Sequence, residues 1–271
     1  MKNTRQANSR HFILLSVLAL YAGEIKADEP AVAPRTASGP EFIGFSDKPN
    51  VTHWGIGAAA GYKKSPYQGD GWNASAIPLI YFDNKWVQVF GNRADLKIAR
   101  WDSVSFALRG EYDLFGGYKS SDAPILKGMD DRNGAFWYGP VVQWQSPWVK
   151  TSFSYLTSGN RGQKAKLDVS KEFTVGSFTV APRLGVEWLN DKNVDYYFGV
   201  TPGEARNDRP AYHGKATYNL SFGIDTVYAL TAHQDVMFNA GYSRLGDGIT
   251  DSPLVSERNT PLFLLGYRYR F

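Results

Sequence analysis

The 271-residue chain contains no cysteine. Thiol nucleophiles, disulfides and thiolate-bound metals are excluded on that ground alone. Histidine is scarce too: His11, His53, His213 and His233 are the full set. They show neither an i,i+4 pair nor a cluster, so the spacing of a zinc site is missing. Beyond residue 50 there is no apolar run of the ~18 residues that a membrane-crossing helix needs, so a membrane form of this chain has to cross with strands. The chain also lacks a dominant charge. Of the formal +4, +3 lies in residues 1–27, where Lys2, Arg5, Arg10 and Lys26 face only Glu24. The remaining +1 makes the pI of 9.0 a poor argument for nucleic-acid binding. Gly55-x-Gly57 lacks the third glycine and the following helix of a dinucleotide loop. His213, Asp251 and Ser252 could form a hydrolase site by position only, with no nucleophile elbow around them. Neither an enzyme nor a cofactor or metal is expected.

Rings, by contrast, are abundant: 16 Tyr, 16 Phe and 8 Trp make up 15% of the chain. The mean hydropathy is nevertheless −0.36. A chain rich in rings but polar on average suits strands with one apolar and one wet face. The front reads as an export signal: basic and polar residues 1–11, an apolar run at 12–22, and the small Ala27 at a cleavage position. Residues 1–27 are therefore expected to be a signal peptide. Residues 28–50, punctuated by Pro and Gly, are expected to be a flexible periplasmic lead-in in which Phe42, Ile43 and Phe45 dock locally.

From residue 51 the pattern has a period of two. In 177–188, Phe178, Val180, Leu184, Val186 and Trp188 share one side and Thr179, Arg183, Gly185 and Glu187 the other, with Pro182 in phase. Residues 216–228 and 235–243 repeat the alternation, and the final segment sets Phe263, Leu265, Tyr267, Tyr269 and Phe271 against Leu264, Gly266, Arg268 and Arg270. The expected strands are 51–62, 74–83, 85–90, 93–99, 103–115, 134–145, 148–158, 163–174, 177–189, 215–229, 235–245 and 260–271. Short connections alternate with long ones at 63–73, 116–133, 190–214 and 246–259, as they do when one barrel rim carries tight turns and the other extended loops. The fold class is therefore all-β: an outer-membrane antiparallel barrel over residues 51–271, of twelve strands, with both termini periplasmic. Its terminal aromatic resembles the assembly signal that barrel-assembly machinery reads. Lipid-facing rings would contact outer-membrane lipid, and Lys164, Lys166, Asp168, Arg183, Glu187, Lys215 and Asp225 would face the lumen.

Over about residues 52–271 the chain resembles the MipA/OmpV family. The likeness rests on Trp54-Gly55-Ile56-Gly57, Ser65-Pro66-Tyr67 and Ile77-Pro78-Leu79-Ile80. It continues through Leu126-Lys127-Gly128-Met129-Asp130-Asp131-Arg132, Asp195-Tyr196-Tyr197-Phe198-Gly199-Val200 and Thr250-Asp251-Ser252-Pro253-Leu254-Val255. The resemblance implies a non-enzymatic scaffold that joins a lytic transglycosylase to a bifunctional murein synthase. A small-solute channel and an adhesin-like surface barrel are the alternatives. Lys127, Asp130, Asp131 and Arg132 in one long loop, and Asp195, Tyr196 and Tyr197 in another, are candidate outer-loop contacts. Structurally, the same residues would pin their loops over the barrel mouth, aided by Glu204, Arg206, Asp208 and Arg209. Two adjacent carboxylates at 130–131 are too few for a calcium site.

Overall fold

The computed structural model describes residues 40–113 and 116–271. The export signal read over 1–27 and the first part of the lead-in lie outside them. Twelve antiparallel strands close into a barrel. They are β1 (His53–Lys64), β2 (Trp72–Asp83), β3 (Val87–Phe90), β4 (Arg93–Trp101), β5 (Val104–Tyr112) and β6 (Phe136–Gln145). The ring continues with β7 (Lys150–Thr157), β8 (Gln163–Ser170), β9 (Phe178–Leu189), β10 (Thr217–Thr231), β11 (Gln234–Arg244) and β12 (Asn259–Arg270). Each strand pairs with the next, and β12 returns to β1 from Leu262↔Lys63 to Arg270↔Gly55. The expected strands are all present, with ends moved by a few residues. The eighth is interrupted: after β8 the chain resumes pairing only at Phe173–Val175. The interruption faces Pro182, whose carbonyl accepts from Lys171 N at 3.2 Å and whose missing N–H leaves that rung half made.

Alternation decides which side of the wall each residue faces. Along β12, Leu262, Leu264, Gly266 and Arg268 are buried, while Phe263, Leu265 and Tyr267 are exposed to the bilayer side. Outward rings gather at two levels. Tyr62, Trp72 and Phe263 stack near the loop rim, with centroids 4.7 and 6.1 Å apart. At the other rim Trp54 stacks on Phe271 at 3.8 Å, and Phe271 N donates to Trp54 O at 3.0 Å. Such belts hold amphipathic rings at the headgroup level, and the Trp54–Phe271 stack clamps the seam between the first and last strands.

Inward, acids and bases interleave. Arg109 makes a two-pronged pair with Asp95, both bonds 2.8 Å. Lys164 on β8 reaches Glu111 on β5. Arg183 lies between Asp168 at 3.5 Å and Asp225 at 3.3 Å. Asp235 accepts from Arg268 at 2.7 Å and Arg270 at 3.0 Å. Lys215, expected in the lumen, instead lies exposed before β10 begins. Short turns such as 84–86, 102–103, 146–149, 176–177 and 232–233 mark the periplasmic rim that carries both ends of the barrel. There Glu41–Phe42 add a short strand beside Arg100 and Ala99 of β4, and Lys85 N donates to Asn50 Oδ1 at 3.0 Å. Phe45 stays 91% exposed.

Removing one partner of a dry ion pair leaves the other charge buried alone. Asp95→Ala leaves Arg109 facing Arg93, both buried, and is expected to cost about 3 kcal/mol. Urea unfolding of the barrel inserted in vesicles measures it; an unchanged midpoint would show that lumen water screens the pair.

Candidate functional site

The long outer loops fold together over the mouth. Their core contains Tyr67, Leu126, Val194, Phe198, Ile249 and Leu254. Leu126, Val194 and Leu254 are completely buried, so this cap is dry. Inside the 190–214 segment, where the sequence pattern predicts only a long loop, lies a helix, α1 (Asp191–Phe198). Its signals were local. Asn190 caps it, its Oδ1 accepting from Asn193 N at 3.0 Å, and Asp191 favours the positive N-terminus. Val194, Tyr197 and Phe198, spaced i, i+3, i+4, turn one apolar stripe into the cap. Asn190 Oδ1 also accepts from Gln163 N at 3.0 Å, which ties the helix start to β8.

The candidate loop residues meet across this cap. Arg132 is the hub: its Nε donates to Tyr196 O at 3.0 Å and its Nη2 to Glu204 Oε1 at 3.1 Å. Glu204 Oε1 also accepts from Asp130 N at 3.0 Å. The Tyr196 ring lies between the Arg132 and Arg161 guanidinium groups, 5.8 and 5.0 Å from its centroid. Lys127 contributes its carbonyl, which accepts from Arg206 at 3.0 Å and Arg209 at 3.2 Å. Asp131 Oδ1 accepts from Ser120 N at 2.7 Å. Asp195 Oδ1 accepts from Gly214 N at 2.8 Å. Tyr197 O accepts from the Tyr67 hydroxyl at 3.1 Å. The Asp130 side chain, 91% exposed, reaches Arg132 Nη1 only at 3.9 Å. Among the described residues no three His, Asp or Glu side chains form a metal-holding group.

The electrostatics favour a locked cap. Burial alone would raise the Glu204 carboxyl. The hydrogen bonds from Asp130 N and Thr201, with the Arg132 charge, outweigh that and hold it below its ordinary value. Burial pushes the phenols of Tyr67 and Tyr197 up and that of Tyr118 to about 12, so all three stay neutral. Beneath the cap two small cavities remain in the lumen. One, of about 40 Å3, is lined by Lys63, Lys166, Arg183, Glu187, Asn219 and Leu262 among others. The second, also of about 40 Å3, is lined by Ala59, Leu79, Phe90, Met237, Asn239 and Leu264 among others.

Comparison with known proteins agrees with this architecture. The family model described as MltA-interacting protein MipA matches residues 56–271. The putative outer membrane protein YiaT of Escherichia coli K12 is 26% identical over 84% of this chain and 94% of its own length. The MltA-interacting protein of the same strain is 27% identical over 80% of this chain and 89% of its own. Among solved structures, an outer membrane channel from Pseudomonas putida F1 aligns with a TM-score of 0.41 and 12% identity, over 80% of this chain and 96% of that one.

Two outcomes follow for the cap. Glu204→Gln weakens the Arg132 hub and is expected to raise hydrogen exchange in residues 125–132 several-fold, with the barrel ladder unaffected. Because the folded carboxyl titrates below its ordinary 4.5, its contribution is present above that pH and is lost as pH falls through the lowered value. Protection, corrected for intrinsic exchange, should thus be constant from neutral pH down to 4.5 and then decline. A decline beginning near neutrality would assign the lock to another group.

Proposed function

The chain belongs to the MltA-interacting protein family of outer-membrane barrels, and from that premise we propose that it is a passage for small solutes, kept closed at the outer mouth by its loop cap. The observation that carries this reading is Lys63 in the lumen. Its buried Nζ has no hydrogen-bond acceptor among the described residues, and the residue borders a cavity of about 40 Å3. Unpaired buried cations are costly unless water or a solute reaches them. The acids and bases along the wall alternate, which argues for small uncharged or zwitterionic cargo over a strongly selected ion.

A second reading has its own support. One E. coli relative is named for interaction with MltA, and here the lead-in presents Phe42 and Phe45, 54% and 91% exposed, at the periplasmic rim. That rim suits a scaffold contact with a lytic transglycosylase or murein synthase.

Liposome swelling separates the two. Reconstituted wild type is expected to pass small sugars slowly, and the cap variant Arg132→Ala several-fold faster. If neither swells, the passage reading fails. A pull-down from intact cells that recovers murein enzymes only when residues 28–50 are present would then favour the scaffold.

A further inference from the structure

One cation interrupts the lipid-facing file of β8 and its extension. Leu167, Val169, Phe173 and Val175 stand opposite Val186, Leu184, Val180 and Phe178 of β9, all on the outer side of the wall by strand alternation. Lys171 falls in the same file, between Val169 and Phe173. Its N–H donates to Pro182 O at 3.2 Å, so the register holds across the interruption and the side chain emerges on the lipid side. A charge there is costly at the middle of a bilayer and tolerated near its surface. The long stem of a lysine lies along apolar surface while the ammonium reaches the headgroups.

The neighbouring turn sets the depth. Ser170 pairs with Lys150, the first residue of β7, so Lys171 lies level with the 146–149 turn of the periplasmic rim. Ser146 Oγ accepts from Trp148 N at 3.2 Å and from Val149 N at 3.0 Å. These bonds fix the turn, and Trp148 stands out from it, 72% exposed. Lys171 Nζ lies 5.3 Å from the Trp148 ring centroid and 5.4 Å from that of Phe173. Two rings thus hold one ammonium at the level of the periplasmic-leaflet headgroups. The ring faces attract the charge, but they are poor hydrogen-bond acceptors, and an ammonium has three N–H groups to give. Lys85, on the same rim, is the contrast. Its Nζ lies 5.6 Å from the Trp86 centroid but donates to Ser46 O, so a backbone carbonyl already takes that hydrogen bond.

We propose that Lys171, Trp148 and Phe173 form a binding site for an anionic phospholipid of the periplasmic leaflet, with phosphatidylglycerol as the simplest case. The phosphate accepts charge-assisted hydrogen bonds from Lys171 Nζ, and the indole N–H of Trp148 is a further donor. The acyl chains lie along Leu167, Val169 and Leu184, of which Leu167 and Leu184 are 43% and 63% exposed. Phosphatidylethanolamine is a weaker ligand, because its own ammonium competes for the phosphate and is repelled by Lys171. The site lies on the outside of the wall and does not depend on whether solutes cross the lumen.

Native mass spectrometry tests the site. The barrel is purified in detergent, and heat-modified gel migration confirms that each variant is folded. It is then incubated with equimolar phosphatidylglycerol and phosphatidylethanolamine, and the first lipid adduct is read. Wild type is expected to carry phosphatidylglycerol several-fold over phosphatidylethanolamine. Lys171→Gln is expected to bring the two lipids to parity, and Lys85→Gln to leave the wild-type ratio. Trp148→Leu keeps the charge and is expected to lower the ratio part of the way. Parity in wild type would overturn the site, as would Lys171→Gln or Trp148→Leu at the wild-type ratio. An equal fall in both lysine variants would overturn it too, since any charge on the rim would then serve.

Discussion

Inside a bilayer no water is available to a peptide group, so every N–H and C=O at that depth has to find its partner within the protein. The closed ladder from β1 to β12 meets that demand, and the remaining features depend on it. Closing the ring fixes which residues face lipid and which face the lumen, since a strand's side chains alternate across the wall. Lipid then takes the rings and aliphatic chains. Charges that cannot face lipid are sent inward, where they must neutralise one another across a narrow space, as Arg109 does with Asp95 and Arg268 with Asp235.

The interior is divided as a consequence. The wall of β4, β5, β8, β9 and β10 carries the paired charges. The wall of β1, β2 and β12 adds an apolar cluster, with the Arg268–Asp235 pair nearer the periplasmic rim. The cap above is held by a different balance: a dry apolar core provides its bulk stability, and the Arg132–Glu204–Tyr196 hub fixes how the loops meet. Cap and wall are thus separable. The hub lies in the loops and, among the described residues, shares no hydrogen bond with the backbone ladder.

The β3–β4 hairpin is short, and β3 meets β2 in three residue pairs. It coincides with the apolar side of the lumen and with Pro78, a residue that a fully paired central strand would reject.

Much of this was legible in the residues. The period of two from residue 51 onward, the alternating short and long connections and the aromatic terminus require nothing but the chain itself, because strand alternation is a local property and lipid rewards it everywhere in the same way. The shortness of the third strand was visible too, in the brief spacing between Asn84 and Asn92, whereas the fourth, expected short as well, runs for nine residues. Helix α1 is signalled by Asn190 and the i, i+3, i+4 stripe that follows, but at eight residues it is too short for its periodicity to stand out from the surrounding loop. What only the tertiary structure decided is partnership across distance. That Arg132 would meet Glu204 and Tyr196 and that Lys164 would cross to Glu111 both depend on ring closure and register. A local pattern specifies which face a residue takes; it carries no information on which strand or loop will stand opposite.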